Sequence, residues 1–82
     1  MTRVKICGIT RETDLDCVVD AGADAVELIA GVTVETPREI ALEEASKLAS
    51  AVPPLVSSIL VTMPGDAPAA RDRIERVGPD AV

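Results

Sequence analysis

The pattern Gly-x-Asp-Ala-Val occurs twice in this chain, as Gly22-Ala23-Asp24-Ala25-Val26 and as Gly78-Pro79-Asp80-Ala81-Val82. Each copy follows a stretch with helical periodicity and opens an apolar run. Repeated βα units produce this pattern, because every helix needs a stop and every strand the same entry. Strands separated by helices in turn imply right-handed crossovers and a parallel sheet. That constraint organises everything else the chain contains.

The first strand spans residues 3–7, where β-branched Val4 and Ile6 alternate with charged Arg3 and Lys5. Gly8 turns the backbone, and Thr10 is expected to cap a helix over residues 11–21. In that helix Leu15, Val18 and Val19 share one face, Glu12 and Asp14 occupy the first turn, and Gly22 stops it. The second strand, residues 24–30, is a nearly continuous apolar run interrupted by Glu27, a pattern of parallel strands buried on both faces. A loop over residues 31–41 carries Thr36-Pro37-Arg38. The second helix, residues 42–51, presents Leu42, Ala45, Leu48 and Ala49 as its buried stripe and cannot pass Pro53-Pro54. A third strand covers residues 55–62. Pro64-Gly65 turns the chain, Asp66 caps a third helix over residues 67–77, and residues 80–82 begin another strand.

Composition narrows the function classes. The 82 residues are 48% hydrophobic yet include no Phe, Trp or Tyr, so the core is built from Val, Ile, Leu and Ala. A chain of this length buries roughly 60% of its unfolded surface, which leaves stability marginal. The net charge of −6 argues against a nucleic-acid or anionic-membrane partner. A phosphate-bearing substrate needs local positive charge or backbone N–H groups to offset this field. The acidity and the few lysines point to a salt-tolerant proteome. Cys7 and Cys17, with no histidine, make neither a disulfide framework nor a metal cluster and read as reduced thiols. No apolar signal core or run of about 20 apolar residues is present, so a cytoplasmic protein is expected.

Neither a G-x-G-x-x-G fingerprint nor a Walker pattern follows the first strand. The alternatives are a small doubly wound sheet, of flavodoxin-like order, and part of a βα barrel. A strand that opens at residue 80 and stops favours the barrel, since a closed one takes eight units and about 250 residues. The expected fold is therefore α/β: three N-terminal βα units and the start of a fourth strand of a TIM (βα)8 barrel, one partial domain over residues 1–82. Ligands bind at the carboxyl ends of such strands, which is where Cys7 lies. A helix N-terminus follows it, so its thiolate is expected to be stabilised and Cys7 to be the more reactive thiol. Read alone, Cys7 is more often an ordinary buried thiol than a catalytic one. Cys17 reads as a packing residue. Asp24 and Asp80 read as caps at strand entry, Glu43 and Glu44 as a pair placed by the helix dipole, and Glu35, Glu39, Arg71, Arg73 and Arg76 as solvated faces.

Val4-Lys5-Ile6-Cys7-Gly8-Ile9-Thr10 resembles the opening of the phosphoribosylanthranilate isomerases, barrel enzymes of tryptophan biosynthesis. The resemblance continues through Ala21–Val26, the Thr36-Pro37-Arg38 loop followed by Ile40, Pro53-Pro54, and Pro79–Val82. It implies an Amadori rearrangement of a phosphorylated aldose amine to a ketose, with no metal or organic cofactor. A general acid opens the ribose ring and a general base takes the C2′ proton of the Schiff base. On this resemblance Cys7 is the base and Arg38 meets the anthranilate carboxylate. Lys5 is expected to share the Cys7 side only if the strand bulges, and the backbone amides of the Gly8 turn are the expected neighbours of the thiol. The family's acid lies on its sixth strand and its phosphate loops follow the seventh and eighth, all past residue 82. Glu27 stands where the family usually has glycine, with Leu28 in place of the aromatic after it, and Leu55 replaces the aromatic after Pro53-Pro54. A carboxylate at position 27 is expected to disturb an anionic substrate. The 82 residues alone are thus expected to be inactive, and the alternative reading is a non-catalytic βα-barrel fragment. Open edges and apolar faces predict a homo-oligomer, most simply a dimer that shares one sheet or barrel.

Overall fold

In a computed structural model, which describes residues 2–82, three parallel strands in the order β1-β2-β3 carry three helices on one face. The elements are β1 (Lys5–Ile6), α1 (Glu12–Asp20), β2 (Ala25–Ile29), α2 (Leu42–Ala51), β3 (Ser57–Val61) and α3 (Ala67–Val77). A parallel bridge between Ile59 and Ala81 sets the last residues along the free side of β3, as a fourth strand would begin. This is the α/β arrangement of successive βα units.

Alternation decides which side chains are buried. Val26 and Leu28 of β2 and Leu60 of β3 face the helices and are essentially inaccessible. They pack with Leu15 of α1, Ala45 and Leu48 of α2, and Val77 of α3 into an aliphatic core. The other face of the sheet holds Ala25, Glu27, Ile29, Ile59 and Val61, all half-buried. The apolar run of β2 leads one to expect burial on both faces. Only one face is fully covered here, because all three helices lie on the same side.

The helix ends differ at one point from the sequence expectation. Thr10 is not the cap of α1: the helix begins at Glu12, Arg11 takes the N-cap position, and no side chain caps it. Arg11 instead reaches forward, donating from Nε to Asp14 Oδ2 at 3.3 Å. At α3, Asp66 Oδ1 accepts from Ala69 N at 2.9 Å, and Gly78 ends the helix in the left-handed region with φ +68°.

The repeated pentapeptide proves to be a strand clamp. Asp24 N donates to Val4 O at 2.8 Å, while Asp24 Oδ2 accepts from Val4 N at 2.7 Å. Asp80 does the same to Ser58: its N donates to Ser58 O at 2.9 Å and its Oδ2 accepts from Ser58 N at 2.8 Å. Each aspartate thus ties the entry of its own strand to the strand before it in space. The second clamp has a further bond, Asp80 N to Ser58 Oγ at 3.1 Å.

Ser58 is buried, so removing its partner strands an N–H away from water. Asp80→Ala is expected to cost about 1.5–3 kcal/mol, and Asp24→Ala, on a more exposed clamp, about 1 kcal/mol or less. Urea unfolding of the two variants checks the order.

Candidate functional site

Register carries the parity of β2 to β1. Lys5 pairs with Ala25 and Ile6 with Val26, so Cys7, directly after β1, comes level with Glu27. The backbone confirms the alignment: Gly8 N and Ile9 N both donate to Glu27 O at 3.1 Å. Lys5, Cys7 and Glu27 therefore occupy one face, the face without helices. The expectation that Lys5 needs a bulge to share the Cys7 side is corrected, because residues two apart in a regular strand point the same way.

Glu27 is the hub of this group. Its carboxylate side chain keeps only 13% of its accessibility and lies 2.7 Å, Oε1 to Nζ, from Lys5. The Cys7 thiol, level with it after β1, is its other titratable neighbour. Those two groups, the thiol first and then the ammonium, hold the Glu27 carboxyl below the ordinary carboxylate range. The pairing acts on Cys7 in the opposite sense. Hydrogen bonding to Glu27, then a slight loss of hydration of the exposed thiol and the Glu27 charge, push it above its ordinary value, and the positive charges of Lys5 and Arg38 only partly offset this. The expectation of a thiolate stabilised by a helix terminus is therefore reversed: α1 begins at Glu12, and a carboxylate is the thiol's direct partner. The ammonium of Lys5 is raised by its bond to Glu27.

Arg38 reaches the thiol's turn from the loop after β2. Thr36 shapes the bend: its Oγ1 accepts from Arg38 N and its carbonyl from Glu39 N, each at 3.3 Å. Ile40 N then donates to Ile29 O at 2.8 Å and returns the loop to the sheet. The aliphatic stem of Arg38 lies over Gly8, where an added Cβ would meet Arg38 Cδ at 2.4 Å. Gly8 also has φ +72°, so both backbone and contact require glycine there. Arg38 makes no ion pair among the described residues. Cys7, Gly8 and Arg38 line one open depression of about 520 Å³, together with Asp14 and Cys17 of α1. Cys17 is exposed, which corrects its reading as a packing residue. It lies off the stripe of Leu15, Val18 and Val19.

Two of the arginines read as solvated have partners. Arg73 Nη1 donates to Gly31 O and to Thr62 Oγ1, both at 2.8 Å, and so anchors α3 to the carboxyl ends of β2 and β3. Arg76 pairs with Glu43 at 2.8 Å and bridges α3 to α2. Among the described residues no three His, Cys, Asp or Glu side chains are grouped to hold a metal ion, and no helix is long and apolar enough to cross a membrane.

Consecutive βα units with parallel strands in the order β1-β2-β3, and a thiol and an arginine meeting on a glycine turn at a strand's carboxyl end, have the arrangement of the N-terminal part of a TIM-barrel protein. Over its whole length the chain is similar to phosphoribosylanthranilate isomerases, of which it spans about two fifths. The chain is 57% identical over all 82 residues to the N-(5′-phosphoribosyl)anthranilate isomerase of Natronomonas pharaonis and 56% identical to that of Halobacterium salinarum. It spans 39% and 38% of their lengths. Among solved structures, the phosphoribosylanthranilate isomerase of Thermotoga maritima is 34% identical with a TM-score of 0.83, and 100% of this chain covers 39% of that one. Another structure of such an enzyme, bound to reduced 1-(o-carboxyphenylamino)-1-deoxyribulose 5-phosphate, gives a TM-score of 0.84 at 34% identity, over 100% of this chain and 41% of that one. No protein-family model matches the chain.

The pH dependence of this site has a definite sign. A carboxyl held below its ordinary value stabilises the fold above the unfolded pKa, near 4.5, and loses that contribution as pH falls through the lower folded value. Glu27→Gln is therefore expected to flatten the loss of stability below about pH 4.5, read from urea midpoints at pH 7 and pH 3.

Proposed function

We propose that this chain supplies the base and a substrate-binding arginine of an N-(5′-phosphoribosyl)anthranilate isomerase. The observation that carries the reading is the seating of Arg38 on the Gly8 turn beside Cys7, which gathers a thiol and a guanidinium with no ion pair among the described residues at one strand end. In the rearrangement Cys7 takes the C2′ proton of the Schiff base. Arg38 holds the anthranilate carboxylate, for which a planar guanidinium with two parallel donors is suited. The substrate is a phosphorylated small molecule, a reading supported by the phosphorylated ligand of the related structure. The reaction takes place in the cytoplasm and uses no metal or organic cofactor.

The relatives are more than twice as long as this chain. The general acid and the phosphate loops expected from the resemblance fall beyond residue 82, so the 82 residues alone are inactive. A chimera in which residues 1–82 replace the matching part of the Natronomonas pharaonis enzyme tests the assignment. We expect isomerase turnover that Cys7→Ala lowers by about 10²–10⁴-fold, the usual contribution of a general base. Arg38→Met is expected to raise KM more than it lowers kcat. A Cys7→Ala chimera with full activity overturns the reading.

By itself the chain associates with a second copy. The face with Ile29, Ile59 and Val61 lies opposite the helices, the outer side of β1 has no strand beside it among the described residues, and that of β3 is covered only by the short segment at residues 80–82. The negative charge opposes pairing, so salt is expected to strengthen it. Sedimentation equilibrium at low and high salt reads this directly. A monomer at both salt levels is the contrary result.

A further inference from the structure

Arg73 directs its charge at neutral oxygens. It makes no ion pair among the described residues, although Asp72 and Glu75 lie within two positions of it on α3. Its Nη1 donates to Gly31 O and to Thr62 Oγ1, both at 2.8 Å, and Thr62 Oγ1 itself donates to Gly31 O at 3.2 Å. These groups close a triangle at the carboxyl ends of β2 and β3. Met63 N adds a further donor to the same carbonyl at 3.0 Å. Glycine has the widest choice of backbone conformations, so the Gly31 carbonyl keeps one direction only where bonds hold it. Gly31 also opens the loop that carries Arg38. The neck of that loop is closed by Ile40 N donating to Ile29 O at 2.8 Å and by Val32 N donating to Glu39 Oε2 at 3.3 Å. Beyond the neck, Thr33, Val34 and Glu35 are exposed.

We propose that Arg73 is a positioning residue for Arg38: from α3 it holds Gly31, and with it the neck of the loop that seats Arg38 on the Gly8 turn. This rests on the reading of Arg38 as the group that meets the anthranilate carboxylate. A guanidinium on a long stem binds an anion less well when its loop can wander, because ordering the loop then becomes part of the cost of binding. A neck fixed from the next βα unit removes that cost before the substrate arrives. The close approach is built into the fold: Gly31 has φ +68°, and a Cβ there would meet Arg73 Cζ at 2.9 Å. The acceptors of Arg73 carry no net charge, so its hold depends less on salt than a surface ion pair does. The two arginines thus act in sequence, one partly buried and bonded to the fold, the other exposed and free of an ion pair among the described residues.

The test reads the seating of Arg38 and its use separately. In the 82-residue chain, trypsin cleavage after Arg38 in the loop and after Lys47 in α2 is followed by mass in one digest. Cleavage after Arg38 requires its side chain to leave Gly8 and enter the protease. Arg73→Gln is expected to speed that cut by about three- to tenfold and to leave the cut after Lys47 unchanged. Arg73→Lys, which keeps a cationic donor, is expected to stay near the unsubstituted rate. Asp80→Ala, which weakens the fold elsewhere, is expected to speed both cuts together. In the chimera, Arg73→Gln is expected to raise KM by about three- to tenfold with kcat within about twofold. It is expected to add nothing to KM once Arg38→Met is present, as two residues acting through one contact require. An unchanged cut after Arg38, both cuts rising in parallel in Arg73→Gln, or an equal KM rise in the Arg38→Met background overturns the proposal. If the unsubstituted chimera has no turnover, the isomerase reading fails, and the digest alone decides whether Arg73 holds the loop.

Discussion

The one-sided burial of β2 is the constraint on which the rest of the molecule depends. Val26 and Leu28 are completely withdrawn from water against Leu15, Ala45 and Leu60. Each such aliphatic side chain stabilises the fold by about 1.5–3 kcal/mol, and no aromatic residue shares the task. Burying those two residues commits Ala25, Glu27 and Ile29 to the opposite face. Parallel pairing passes the commitment to β1, so Lys5 and Cys7 stand in line with Glu27. A slip of one residue would bring Ile6 out and take Cys7 to the helix side. The chemistry of the thiol is a consequence of how the core packs.

β1 is only two residues long, so its register has to be held from outside the ladder. At one end Asp24 closes a double hydrogen bond on Val4. At the other, the N–H groups of Gly8 and Ile9 converge on the carbonyl of Glu27. The strand is pinned at both ends, and the second pin is made by the residue whose side chain lies level with the thiol. The backbone carbonyl of Glu27 thereby fixes the position of the Cys7 turn, while its carboxylate pushes the thiol upward.

The acidic surface gives the cations distinct tasks. Lys5 is engaged by Glu27, Arg11 by Asp14, and Arg76 by Glu43 and Asp72. Arg73 threads past Gly31, where a Cβ would lie 2.9 Å from its Cζ, to bind backbone and hydroxyl oxygens at the strand ends. Arg38 differs from these: its stem is packed on Gly8 while its guanidinium has no carboxylate partner among the described residues. In a field of net negative charge, that leaves a guanidinium held by its stem beside the thiol with its charge uncompensated among the described residues.

Much of this was legible in the residues. Period and punctuation determine the order of strands and helices, since Gly22, Pro53-Pro54 and Gly78 act within a few residues of themselves. The run from Val4 to Thr10 singles out Cys7 and the loop with Pro37 singles out Arg38 as candidates, and the structure brings the two to one depression. The strand-entry role of Asp24 and Asp80 also follows from their repeat, although their partners Val4 and Ser58 do not. What tertiary structure decided are the relations between residues distant in sequence. The pairing of Lys5 with Glu27, the placing of Cys7 level with Glu27 and the contact of Arg38 with Gly8 depend on register across strands and on the path of a loop. Local propensity does not encode either one. The same holds for the thiol's protonation, which a helix terminus suggests should be lowered and which the carboxylate on the neighbouring strand raises. Sequence by itself determined which chemical groups stand at the strand ends. Only packing, through the parity of a half-buried sheet, decided which of those groups meet.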